Sequence, residues 1–112
     1  YYKGLKALQD QHKVKLPHLP NYASNNAHMF FIQCNSLEER TDLIKYLKKD
    51  NVYAVFHYLS LHKSPYYNTK HDGRNLIESD NYSHTLLRLP FYYELSDDDI
   101  QRINNLIITF YK

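Results

Sequence analysis

The sequence predicts an α/β fold, a two-layer α+β sandwich whose mixed or antiparallel sheet is flanked by helices. Three features carry this expectation. Residues 27–35 (AHMFFIQCN) and 52–58 (VYAVFHY) are short runs of aromatic and β-branched residues, the signature of strands. Between them SLEERTDLIKYLKKDN reads as a capped helix, and the chain closes on a second amphipathic helix. Strands alternating with helices over 112 residues suffice for one domain with a modest core.

In chain order, residues 1–12 place Leu5 and Leu8 three apart, a short helix weakened by Gly4. Pro17 and Pro20 exclude a central strand from VKLPHLP, so an extended connector over a surface is expected. The 27–35 strand is apolar on both faces, as if covered on both sides. Ser36 and Glu39 form an S-x-x-E capping box, and Leu43, Ile44 and Leu47 give that helix one apolar stripe. Lys48 and Lys49 suit the negative end of the helix dipole before Asn51 stops it. After the 52–58 strand, residues 59–75 carry loop chemistry, an unusual length that is often functional. A short helix over about 79–87 and an extended LRLPFYY follow. Last, Ser96 caps a helix with Asp97, Asp98 and Asp99 in its first turn. Its buried stripe is Ile100, Ile103, Leu106, Ile107 and Phe110.

Charge and composition narrow the function. A net charge of +2 without a basic face argues against nucleic acid, and Lys45, Lys48 and Lys49 line one solvated helix face. Cys34 is the only cysteine, so no internal disulfide forms, which suits a reducing cytoplasm. No charged-then-apolar leader and no apolar run near 18 residues occurs, so neither secretion nor a membrane span is expected. The chain opens on Tyr1 rather than Met inside a helical pattern, and is expected to be an excised fragment.

The candidate chemistry sits after the second strand, where AVFHYLSLH turns from apolar residues to His57, Tyr58 and His62. Imidazole and phenol donate or accept hydrogen bonds, which suits sugar hydroxyls and phosphate oxygens in a cleft opened by the 59–75 loop. Satisfied edge residues fit the same pattern. No acidic residue or cysteine lies close enough in sequence to complete a metal site with His57 and His62. His12, His18, His71 and His84 read as plain surface residues. Cys34, inside an apolar strand, reads as a buried inert thiol. Gly4 and Gly73 are too few for a glycine-rich phosphate loop.

Three ordered segments add more: NAHMFFI (26–32), AVFHYLSLHKSPYY (54–67) and LLRLPFYYELSDDDI (86–100). Together they resemble the C-terminal part of sugar-nucleotide aminotransferases of the DegT/DnrJ class. The resemblance implies a single domain over 1–112, with 1–25 as connecting helix and linker and 26–112 as the small domain of a fold-type-I enzyme using pyridoxal phosphate. It implies amino transfer from glutamate to a dTDP-4-keto-6-deoxyhexose, and a homodimeric parent. The coenzyme and its lysine would belong to a large domain of the same chain, leaving this part alone inactive and without catalytic residues. By motif position His57 and Tyr58 would face the bound sugar or coenzyme. His62, Tyr66 and Tyr67 would form the adjoining loop, and His28 matches a frequent histidine of the class. Where relatives often carry proline after the His-Tyr pair, this chain has Leu59-Ser60-Leu61, and no Ala-Glu pair is evident near Glu78. The contrasting possibility is a stand-alone α+β module that holds a small ligand or peptide through its tyrosine-rich loop. An RNA-binding sandwich ranks last, because the strongest strands look covered.

Overall fold

A computed structural model describes residues 1–112. In chain order it holds α1 (Tyr2–Asp10), β1 (Phe30–Gln33), α2 (Leu37–Lys49), β2 (Val55–Phe56), α3 (Ile77–Thr85), β3 (Leu86–Leu89) and α4 (Asp97–Phe110), with a 3-10 turn at Leu61–Lys63. The sheet is antiparallel with order β1-β3-β2. Both outer strands run opposite to β3 and therefore parallel to each other, so α2 is the crossover between them.

Each helix end has a local cause. Ser36 Oγ accepts the Glu39 N–H at 3.0 Å, the first half of the expected capping box. The return bond goes one residue further out, with Asn35 N–H donating to Glu39 Oε1 at 3.3 Å. Asn51 stops α2 in the left-handed region, φ 58, while Val52 N–H reaches Leu47 O and Asn51 N–H reaches Lys48 O. This paired Schellman closure buries Val52 beside Leu47. His12, φ 58, closes α1 in the same way. Ser96 caps α4 by accepting the Asp99 N–H at 3.1 Å.

The sheet corrects several expectations. The 27–35 strand pairs only over Phe30–Gln33, because the chain enters it through Ala27 at φ 51. The 52–58 strand shrinks to Val55–Phe56, since its partner β3 is four residues long and ends at Pro90, which has no N–H to donate. The helix expected at 79–87 is shifted to Ile77–Thr85, and Leu86 and Leu87 open β3, the central strand. One face of the sheet is covered rather than two. Cross-strand partners share a face, and the row Ile32, Leu87, Phe56 turns toward the helices. The row Phe31, Arg88, Val55 turns away, and Val55 is half exposed.

The core lies between that inner row and the helices: Leu5 and Leu8 from α1, Leu43 and Leu47 from α2, Ile103 and Ile107 from α4. The connector adds Val14 and Leu16, with Lys15 bridging Gln33 at the edge of β1. Gly4 lets α1 approach α4, since a Cβ there would lie 2.2 Å from Asn104 Nδ2. No helix is long and apolar enough to cross a membrane.

Candidate functional site

Strand β2 delivers His57 and Tyr58 to one end of the sheet, where the chain leaves the ladder for the 59–75 loop. His57 is half-buried and its ring packs 4.5 Å from that of Tyr58, at 59°. His57 Nδ1 is closed off from solvent and has no hydrogen-bond partner. Tyr58 is 75% exposed, so its phenol is open to whatever covers this edge. The pair lines a cleft of about 210 Å³ whose far wall is α3, through Ser79, Tyr82 and Ser83. Ser60, buried at the cleft floor, accepts a bond from Ser79 Oγ at 3.4 Å. No charged side chain lines this cleft, so its polar vocabulary is hydroxyl, phenol and imidazole.

The loop is pinned rather than free. His62 Nε2 lies 3.3 Å from Asp80 Oδ1, and Lys63 Nζ is 2.7 Å from Asp80 Oδ2. The Lys63 bond, then one from Ser60, holds the Asp80 carboxyl below the usual carboxylate range. The His71 ring packs 5.1 Å from that of His62, tilted by 40°, with most of its side chain covered, so it is not the plain surface residue expected. Its burial depends on how the loop folds back, which sequence spacing does not encode. Tyr66 and Tyr67 meet edge-to-face at 4.9 Å, and Lys70 Nζ sits 3.5 Å from the Tyr66 ring centre.

The expected site residues therefore fall into two places. His57 and Tyr58 share one cleft; His62 and Tyr67 line the adjoining one, with Tyr66 packed on Tyr67 beside it. His28 stands elsewhere. It precedes Phe30, which pairs with Leu89, whereas His57 follows Phe56, which pairs with Leu87 on the other side of β3. Strand rise and spacing put them at opposite ends and edges of the sheet, roughly 20 Å apart. His28 lines a separate cavity of about 530 Å³ with Tyr2, His18 and Phe31.

Sequence reading missed Arg40. It is 9% exposed on α2, donates from Nη1 to Ser83 O at 3.0 Å, and lies 5.3 Å from the Phe56 ring centre. Burial lowers its pKa, and no carboxylate pairs with it. It ties α2 to both walls of the His57 cleft, positioning rather than lining it. The only signal in the sequence was its place on the apolar side of α2, one turn before Leu43 and Ile44.

Cys34 is buried, and burial pushes its thiol up to about 11, so at neutral pH it is no nucleophile. A coenzyme cradle needs a lysine amine held neutral in a closed pocket. Every lysine here is exposed, and Lys63 is ion-paired. No lysine of these residues is enclosed in a pocket of that kind.

A family model described as the DegT/DnrJ/EryC1/StrS aminotransferase family matches residues 1–108. Among solved structures, the fold is similar to a DegT DnrJ EryC1 StrS aminotransferase from Brucella abortus, at 27% identity and TM-score 0.78, covering 96% of this chain and 28% of that one. It is similar to NtdA from Bacillus subtilis with bound cofactor PMP, at 24% identity and TM-score 0.83, covering 100% and 26%. Helicobacter pylori PseC, an aminotransferase involved in the biosynthesis of pseudoaminic acid, matches at 18% identity and TM-score 0.79, covering 96% and 30%. The chain thus spans under a third of the length of the proteins it matches.

Proposed function

This chain belongs to the DegT/DnrJ/EryC1/StrS aminotransferase family, and from that we propose that it is the C-terminal part of a sugar-nucleotide aminotransferase. The parent enzyme moves an amino group from glutamate to a dTDP-4-keto-6-deoxyhexose, as a dTDP-4-amino-4,6-dideoxygalactose transaminase does, in the cytoplasm, for cell-surface polysaccharide. Pyridoxal phosphate, held by a larger domain of the same chain in a homodimer, supplies the electron sink for that transfer.

The observation that carries this reading is the uncharged edge at His57 and Tyr58. An exposed phenol, a half-buried imidazole with an unpaired Nδ1, and serine hydroxyls converge on one cleft. That set suits a neutral, hydroxyl-bearing ring. The role of this chain is to bind and orient the sugar and to exclude water from the reacting carbon; placement of this kind accounts for much of a catalysed rate. The remaining expected residues follow the same division: His62, Tyr66 and Tyr67 shape the adjoining loop, while His28 serves a different surface.

A coupled assay of the full-length protein with keto-sugar nucleotides and glutamate tests the proposal. Turnover supports it, and absence of turnover with every such sugar overturns it. The isolated 112-residue chain, mixed with pyridoxal phosphate, is expected to give no lysine-specific Schiff-base absorbance.

A further inference from the structure

Three elements meet at the guanidinium of Arg40. The side chain leaves α2, lies 5.3 Å from the centre of the Phe56 ring at the end of β2, and donates to Ser83 O near the end of α3 at 3.0 Å. Phe56 immediately precedes His57 and Tyr58, while Ser83 belongs to the opposite wall of their cleft. Arg40 therefore spans the cleft from behind. The other tie across it, Ser79 Oγ to Ser60 Oγ at 3.4 Å, is long and uncharged, hence weaker.

The junction of α3 with β3 explains why a donor is needed there. Thr85 ends the helix and Leu86 opens the strand, with no loop between them. Carbonyls of a last helical turn lack helical partners, and here other groups supply donors. Leu86 N–H reaches Tyr82 O, Cys34 N–H reaches Thr85 O at 2.9 Å, and Arg40 reaches Ser83 O. A cation at this end also suits the helix dipole.

The charge itself is unmatched. Arg40 Nε is buried without an acceptor, and no carboxylate pairs with the guanidinium. The neighbouring carboxylate, Glu39, is occupied by Asn35 N–H and the Tyr111 hydroxyl. A buried cation without a counter-ion costs folding energy, and an apolar side chain of similar volume would fill the same space. What the guanidinium adds is geometry: a flat face against Phe56 and a fixed donor fork toward Ser83.

We infer, on the basis of the function proposed above, that Arg40 is a positioning residue for amino transfer to the sugar. It sets the separation between the His57–Tyr58 edge and α3, and so the place of the sugar ring, without touching that ring.

The test uses the full-length protein with Arg40→Lys, which keeps the charge but loses the flat face and the fork, and with Arg40→Met beside it. Single-turnover measurements follow the two halves of the exchange separately: uptake of the amino group from glutamate, and its delivery to a keto-sugar nucleotide. Delivery to the sugar should slow by about tenfold, the scale of a small misplacement, while uptake from glutamate keeps its rate. A merely structural role would slow both halves alike. Slowing confined to the sugar half in either variant supports the inference; unchanged rates, or both halves slowed together, overturn it while leaving the aminotransferase reading intact. Should Arg40→Met fail to fold, Arg40→Lys decides alone. If the wild-type protein delivers no amino group to any keto-sugar nucleotide, the function proposed above falls. Crystal structures of wild type and Arg40→Lys then decide the positioning: a His57–Ser83 separation changed by about 1 Å supports it, and an unchanged separation overturns it.

Discussion

The Tyr58 ring lies 4.5 Å from the His57 imidazole, and of the two it is Tyr58 that faces outward while His57 keeps an unpaired nitrogen beneath it. This arrangement follows from chain direction. Strand β2 ends at Phe56, anchored over Arg40, so the next residue emerges half under the sheet edge and the one after it stands clear.

Gly4→Ala is expected to destabilise the domain although alanine is the better helix former. The propensity gain is about 1 kcal/mol, while overpacking against buried Asn104 costs about 1–3 kcal/mol. Adding Asn104→Ala should restore much of the loss, as seen by urea unfolding of the single and double variants. A stabilised single variant would show that α1 and α4 part easily.

Tyr111→Phe removes a bond that holds the chain end to α2, since the Tyr111 hydroxyl donates to Glu39 Oε1 at 2.5 Å. A loss of about 1–2 kcal/mol is expected from deleting a part-buried bond to a charged acceptor. Thermal melts of the variant read it directly, with wild-type stability as the contrary result.

Alkaline pH should unfold the protein more readily than its surface charge implies. Burial raises both the Cys34 thiol, to about 11, and the Tyr111 phenol, so the folded state binds these protons more tightly than the unfolded chain. The thiol's stabilisation is complete below its unfolded value and is lost as pH rises through about 9 to 11, and the phenol's is lost only from about 10 upward. Cys34→Ala should flatten that slope in a pH series of melting temperatures. At pH 7.5 the native thiol should ignore a chromogenic disulfide reagent that titrates it fully in denaturant; rapid native reaction would contradict the buried placement.

Asp80→Asn should loosen the 59–75 loop, because the carboxylate of Asp80 is what Lys63 and His62 gather around. Faster tryptic cleavage at Lys63 and Lys70 is the expected readout, at pH 7.5 where Asp80 is ionised. Protection equal to wild type would mean that the loop is held elsewhere.

Helices with local signals and the antiparallel sheet were legible in the sequence, and the extents of the strands were not. Ser36, Glu39, Asn51 and Ser96 act through bonds to backbone a few residues away, so spacing alone identifies them. The extent of β2 depends on its partner, and β3 is short because Pro90 ends it. Helix α3 shows no apolar periodicity; it is held by contacts with α2, including the Arg40 bond to Ser83 O. His57 and Tyr58 were visible as polar residues ending an apolar run. His71 and Arg40 were not, since one is covered by a returning loop and the other is a charged residue placed by tertiary contact.

The most direct test of the account is His57→Ala in the full-length protein, assayed with a dTDP-4-keto-6-deoxyhexose and glutamate beside a thermal melt. The expected outcome is a fall in turnover of about tenfold or more with a melting temperature close to wild type. Normal specific activity with a large drop in melting temperature would place His57 among the residues that hold the fold, and would contradict a sugar-facing edge.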